Sequence, residues 1–258
     1  MSVLLQPKRP RDLGVNILMY HSISLGPGPT CIPPQVFREQ MQALEDLGYS
    51  VVGLADFAAF CRRNRPLPPR AVVITFDDGF LDFAEQAFPA LHKRGWSATV
   101  FLPTGVVGKS ENWRGALSHQ PRKLMDWRTI RQLAGEGIEF GGHTITHCDM
   151  TRLSPQELER ETRLPGEQIK QETGIAAMSF APPYGFSNAV VRAAIRKWYQ
   201  VSVGVRFHRA KLTGDLSDVP RIEMHYFRNI AMWRAYLQGR AETYVTVRRA
   251  LRHIRRVV

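Results

Sequence analysis

Apolar and polar positions along the chain follow two alternating rhythms. Short apolar runs at residues 15–20, 50–53, 71–76, 97–102, 137–140, 177–180 and 199–205 read as strands. Between them, apolar residues recur at helical spacing over 36–47, 54–61, 81–93, 127–134, 155–173 and 188–197. The run AVVITF at 71–76 is a continuous β-branched run, as expected for a parallel strand buried on both faces. Ser154-Pro155-Gln156-Glu157 is a capping box with proline at the first helical position, so a helix starts there. The segment 62–70 carries Pro66, Pro68 and Pro69 and must be a loop. Residues 104–123 form a long excursion, of the kind that often carries function.

This strand–helix alternation predicts an α/β fold with a parallel sheet, closed or nearly closed. One domain is expected over 1–227, followed by a basic helical extension over 228–258. In such folds the chemistry gathers where strands end at their C-terminal side. His21 follows the first strand, Asp77 and Asp78 follow AVVITF, His143 and His147 follow IEF, and Tyr184 follows MSF.

Composition narrows the classes. A chain of 258 residues, 44% hydrophobic and 22% charged, excludes disordered and low-complexity proteins and suffices for one barrel-sized domain. Lys and Arg total 35 against 23 acids, a net charge of +12 that points to an anionic partner or to a solvated basic face. Cys31, Cys61 and Cys148 are widely spaced, which speaks against a disulfide framework or a cysteine zinc site. No run approaches 18 apolar residues, and the apolar run near Met1 is too short for a signal peptide, so cytoplasmic residence is expected.

Three segments carry candidate chemistry. In Thr75-Phe76-Asp77-Asp78-Gly79 two adjacent carboxylates would repel each other unless a cation lies nearby; alone, the segment reads equally as an Asp-Gly turn. In Gly142-His143-Thr144-Ile145-Thr146-His147 two imidazoles four residues apart fall on one face of a helical turn and can share an ion. Together with one carboxylate they suit zinc or a similar divalent metal, with positions left open. In Phe180-Ala181-Pro182-Pro183-Tyr184-Gly185 the prolines fix the backbone, so that a following N–H is pre-aimed and can serve an oxyanion; a merely rigid loop reads equally well. His92, His119 and His208 have no partner pattern, Cys148 reads as a small buried residue, and Asp82 as an acid at a helix N-terminus.

With these motifs in order, the sequence resembles the polysaccharide deacetylase family, also called NodB-homology or carbohydrate esterase 4. TFDDG, HTITH and APPYG resemble its first three motifs, and the likeness runs from NILMYHSI to VPRIEM. The resemblance implies a distorted (β/α) barrel and metal-dependent removal of acetyl groups from sugars. It implies Asp77 as general base, Asp78, His143 and His147 as metal ligands, and the Tyr184 backbone N–H as oxyanion donor beside Pro183. Zinc is the expected metal, with Co2+, Ni2+ and Fe2+ as alternatives. Two departures stand out. Ala181 replaces an arginine that orients the base in the family, and Arg221 is the candidate substitute. The family's late histidine motif is not evident; Met19-Tyr20-His21 resembles the early motif of poly-N-acetylglucosamine deacetylases, which makes His21 the candidate acid and His225 the runner-up.

Beyond residue 233 lie Arg234, Arg240, Arg248, Arg249, Arg252, Arg255 and Arg256 against Glu242 alone. Tyr244, Val247, Leu251, Ile254 and Val258 recur at alternating spacings of three and four, giving an amphipathic basic helix. Such a helix either lies on an anionic membrane surface, at the inner face of the membrane, or packs its stripe on the barrel with the arginines outward. The expected partner is an N-acetylated sugar. The second functional reading is a catalytically weak carbohydrate-binding protein of the same fold. Nucleic acid is not expected, because no recognition helix or stacking platform is present.

Overall fold

The computed structural model describes residues 14–62, 66–113 and 120–257, with side chains through residue 252. Eight strands alternate with helices: β1 (Asn16–Tyr20), β2 (Ser50–Val51), β3 (Ala71–Phe76), β4 (Thr99–Leu102), β5 (Glu139–Gly142), β6 (Ser179–Phe180), β7 (Val201–Phe207) and β8 (Val219–Glu223). All pairings between them are parallel. Running β1-β8-β7-β6-β5-β4-β3 and back to β1, seven strands close a ring. The short β2 borders the first two residues of β3, and β4 borders its last two. This is the distorted (β/α) barrel.

The period-two pattern of the strands sorts side chains into two cores. Ile17, Val73, Phe101, Val201, Val203 and Val219 form one cluster, joined by Leu54 and Phe57 of α2 (Leu54–Cys61). Leu18, Tyr20, Val72, Ile74 and Phe76 point the other way, toward the surrounding helices. There α1 (Pro34–Asp46) presents Phe37, Met41 and Leu44 at helical spacing. The helix expected over 81–93 contains a π-helical turn at Phe83–Ala87 that leads into α3 (Phe88–His92). Next come α4 (Trp127–Gly135), α5 (Pro155–Thr173) and α6 (Ala189–Arg196). The Ser154 capping box is formed at the start of α5, and Gly174 ends that helix in the left-handed conformation.

The chain from residue 228 onward packs into this same core. Helix α7 (Ile230–Leu237) buries Trp233 completely, and the Trp233 indole N–H donates to Gln40 O in α1. Tyr236 donates to Asn16 Oδ1 at the start of β1. Helix α8 (Glu242–Val257) buries Val245 and ties Tyr244 to Tyr226 O. Of the apolar stripe, Tyr244 packs on the core, Val247 and Leu251 are 51% and 47% exposed, and the side chains of Ile254 and Val258 lie outside the described residues. Arg249 and Arg252 turn toward the barrel and donate to Phe207 O and Val205 O of β7. The β7–β8 pairing is irregular between Val203 and Phe207, and a guanidinium supplies donors there that an aliphatic side chain cannot.

Candidate active site

Strand ends converge on one rim. Asp77 follows β3 directly, its backbone N–H donating to Tyr20 O of β1. Asp78 takes φ 74° and Gly79 φ 68°, which turns the chain sharply and sends the two carboxylates different ways. A Cβ at Gly79 would lie 2.6 Å from Leu102 Cδ2, so the turn is packed as well as bent.

Beyond β5 the two histidines occupy an irregular loop, not the helical turn expected. Thr144 and His147 have φ 64° and 56°, and the Thr144 hydroxyl accepts from His147 N at 2.9 Å. Glu161 of α5 holds that loop from behind: its carboxylate accepts from Ile145 N at 2.6 Å, Thr146 N at 3.2 Å and Thr146 Oγ1 at 3.1 Å. The β5 glycines bring the loop close to the barrel. A Cβ on Gly141 would strike the Phe101 ring at 2.6 Å, and one on Gly142 would meet Phe180 Cδ2 at 2.8 Å.

The outcome is a buried cluster of Asp78, His143 and His147, with ligand atoms all within 4.8 Å of one another. The two Nε2 atoms lie 3.3 and 3.1 Å from Asp78 Oδ1. That oxygen is buried and has no hydrogen-bond geometry to either ring. A buried carboxylate oxygen without a donor is costly unless a cation sits there. The far sides of both rings are occupied. His143 Nδ1 lies 2.5 Å from Ala181 O, and His147 Nδ1 lies 3.2 Å from the Tyr184 hydroxyl. Such outer contacts fix which nitrogen is left for a metal. Burial opposes a charge on Asp78, yet the two imidazoles prevail and hold its carboxyl well below the usual range. Burial also pushes His147 below its ordinary value, toward the neutral form that ligates. The residues therefore fit a divalent metal.

Asp77 has a different partner. Arg221, 1% exposed in β8, donates from its two terminal nitrogens to Oδ1 at 2.6 Å and Oδ2 at 2.8 Å. Its Nε donates to Gly204 O and its Nη1 also to Thr75 Oγ1, so the guanidinium is fixed on three sides. Burial would raise Asp77, but the Arg221 charge and hydrogen bonds outweigh it and keep the carboxyl low. Arg221 thus grips Asp77 from β8, while Ala181 contributes its carbonyl to His143. His21, with its side chain 18% exposed, places Nε2 3.9 Å from Asp77 Oδ2. Tyr184 sits in the turn Pro183–Gly185 at φ 59°, above a buried Pro183.

Of the five non-glycine residues with positive φ among those described, Asp78, Thr144, His147 and Tyr184 belong to this rim, leaving Arg70 elsewhere. Strain of this kind persists where the surrounding structure enforces it.

Several contributors carried no motif. Trp113, from the long excursion, stacks on His147 with centroids 4.3 Å apart. Asp82 stands at the N-terminal end of the π-helical turn, but its side chain makes no capping bond: it accepts from Ser22 Oγ and, at 2.9 Å, from Ile23 N, and so ties down the residues that follow His21. Glu161 lies on the buried face of α5 beside Leu158 and Thr162. A carboxylate on that otherwise buried face was the available signal for it. His225 makes no ion pair with Asp77 or Asp78; it lines a neighbouring cavity. His119 lies outside the described residues, and His92 and His208 are exposed.

Comparison with known proteins agrees with the geometry. The family model for polysaccharide deacetylase matches residues 64–201. YxkH of Bacillus subtilis (strain 168), assigned to the same family by its name, is 30% identical over 227 residues, covering 86% of this chain and 76% of that protein. The poly-beta-1,6-N-acetyl-D-glucosamine N-deacetylase of Escherichia coli (strain K12) is 32% identical over 118 residues, which span 42% of this chain and 16% of that longer protein. Among solved structures, IcaB from Ammonifex degensii superposes with a TM-score of 0.72 at 25% identity, covering 86% of this chain and 97% of that one. The fold is also that of the Streptococcus pyogenes deacetylase PplD, with a TM-score of 0.71 at 23% identity over 82% of this chain and 92% of that one.

Proposed function

The chain belongs to the polysaccharide deacetylase family, and from that membership and the rim geometry we infer that it hydrolyses N-acetyl groups on an amino sugar of a polysaccharide, oligosaccharide or lipid-linked glycan. One observation carries this reading. Two adjacent carboxylates are divided between two tasks, Asp78 facing two imidazoles and Asp77 held apart by Arg221. The alternative, a catalytically weak binding protein, drew on Ala181 and on the missing late histidine motif; Arg221 on Asp77 and His21 near the same carboxylate support the catalytic reading instead.

Asp78, His143 and His147 would hold a divalent metal, with zinc the first expectation. Bound there, it would supply Lewis acidity toward the acetamide and lower the pKa of water at the site. Asp77, kept ionised by Arg221, takes a proton from the attacking water. The Tyr184 backbone N–H donates to the oxygen that becomes negative, and Pro183 and Tyr184 border the acetamide. His21 protonates the departing nitrogen as the C–N bond breaks, so acetate and an amine leave.

The test is acetate release from a panel of N-acetylated amino sugars by the metal-loaded protein. Turnover is expected, and His21→Gln should lower kcat by about 10²-fold, the lower end for a positioned acid. Absence of acetate from every substrate would refute the activity, and a fully active His21→Gln would refute the role of His21.

Contact with an anionic membrane surface is a further part of this reading. Among the described residues no helix is long and apolar enough to cross a membrane. Helix α8 leaves Val247 and Leu251 exposed in an arginine-rich segment, the composition of a helix that rests on an anionic leaflet such as the cytoplasmic one. Co-sedimentation with vesicles containing phosphatidylglycerol is expected to fall in Val247→Ser/Leu251→Ser, and equal sedimentation of parent and variant would refute the contact.

A further inference from the structure

The turn Met224–Phe227 leaves β8 and opens onto a second cavity of about 590 Å³, bounded also by α7 and α8. Its polar lining consists of His225, Arg228, Asn229 and Arg248, with Tyr226 and Tyr244 between them. No carboxylate lines it. Among the described residues neither Arg228 nor Arg248 has an ion-pair partner, although eight other arginines do.

The two guanidinium groups are held in place. Arg248 stacks against Tyr226 at 5.0 Å and Tyr244 at 5.2 Å, which fixes its plane through the ring faces and leaves its N–H edge without an acceptor among the described residues. Arg228 donates through Nη2 to Cys31 O and Gly28 O, while its Nε is buried without an acceptor. His225 Nδ1 is likewise buried without a partner. Burial lowers the pKa of His225, and the charges of Arg228 and Arg248 lower it further. A concave site with two fixed cations, unfilled donors and no carboxylate in its lining is complementary to an oxyanion.

Its place in the fold links it to the rim. Arg228 anchors the loop that begins after His21, and the turn bearing His225 continues the strand whose Arg221 grips Asp77. Arg221 and His225 are four positions apart, at most about 14 Å of chain. That is within reach of a neighbouring sugar of the same glycan.

We propose that this cavity binds an anionic group, phosphate or carboxylate, carried by the N-acetylated glycan next to the sugar that is deacetylated. The proposal rests on the deacetylase reading and specifies its substrate class: an acidic glycan in preference to a neutral one. Deacetylation creates an ammonium group, which the same cations repel, so a chain already deacetylated nearby is a poorer ligand than an intact acidic one.

The experiment compares KM for matched N-acetylated oligosaccharides that are neutral, carry one carboxylate, or carry one phosphate monoester, using the full metal-loaded chain. A charge-assisted contact of ordinary strength makes KM about tenfold lower for an acidic chain than for the neutral one. Arg248→Gln keeps a planar polar group on the tyrosines and should bring that ratio close to one. The carboxylate and phosphate arms show which oxyanion the cavity prefers. Calorimetric titration of inorganic phosphate and of glucuronate into parent and Arg248→Gln gives a readout that needs no turnover. Loss of binding in the variant supports the site even if no substrate is hydrolysed, which would sink only the deacetylase reading. Equal KM for neutral and acidic chains in the parent, or an acidic preference and anion binding unchanged in Arg248→Gln, overturns the proposal.

Discussion

Replacing Asp77 by Asn is expected to lower acetate release by about 10²- to 10⁴-fold, the range of a positioned general base, while bound metal stays at the parental level. The metal set does not include Asp77, whose two oxygens are taken by Arg221. The variant also tests the ion pair. An Asn side chain offers Arg221 one acceptor and turns an amide toward its other nitrogen, so a buried guanidinium is left half-paired. Breaking a buried pair from one side costs about 3–5 kcal/mol, and Arg221→Met should cost as much by leaving Asp77 buried without its cation. The double variant Asp77→Asn/Arg221→Met restores a neutral pair and should regain most of the stability, measured by denaturant unfolding, with no gain in acetate release. That separation distinguishes a carboxylate needed for chemistry from one needed for folding. Parental turnover in Asp77→Asn with metal retained would move the base to another residue.

What the sequence made legible follows from where apolar periodicity and functional chemistry coincide. β3 is apolar but for Thr75 and ends at Phe76, immediately before Asp77, so strand and site announce each other. β8 was not legible as a strand, because its residues are Val, Pro, Arg, Ile and Glu. Its inward position is taken by Arg221, a charge that the barrel tolerates only because Asp77 neutralises it. The histidine spacing correctly paired His143 with His147 but implied the wrong backbone. The loop depends on two left-handed residues and on Glu161, which is distant in sequence, and neither leaves a local signal. The acid at position 82 shows the same limit: its bonds go to Ser22 and Ile23, residues that only the tertiary fold brings near. Likewise the tail looked separate because arginines dominate it, whereas Trp233, Tyr236 and Val245 place it in the core and its arginines serve backbone carbonyls.

Metal is expected to raise the melting temperature of the parent and to leave His147→Ala and Asp78→Ala unchanged, with deacetylation abolished in both. The argument starts from Asp78 Oδ1, a buried oxygen facing two Nε2 atoms with no hydrogen bond to either. The imidazoles favour the charged carboxylate but give that oxygen no hydrogen bond, and a divalent ion would supply the missing partner. At a free metal concentration of about 100 times Kd, binding to the folded chain alone adds about 2.7 kcal/mol. For a chain of this length that is a rise of roughly 5–10 °C. Removing His147 would take away one candidate ligand together with the ring that Trp113 and Tyr184 contact, whereas removing Asp78 would take away the negative charge available to a cation. Both variants should therefore lose metal on dialysis, measured as metal per chain by mass spectrometry, and neither should melt later when metal is restored. Comparing zinc, cobalt, nickel and iron in the parent then ranks the ions for a site of two nitrogens and one oxygen, a donor set that accepts each of them. Undiminished metal content in His147→Ala would place the ion elsewhere and remove the basis for assigning this rim to hydrolysis.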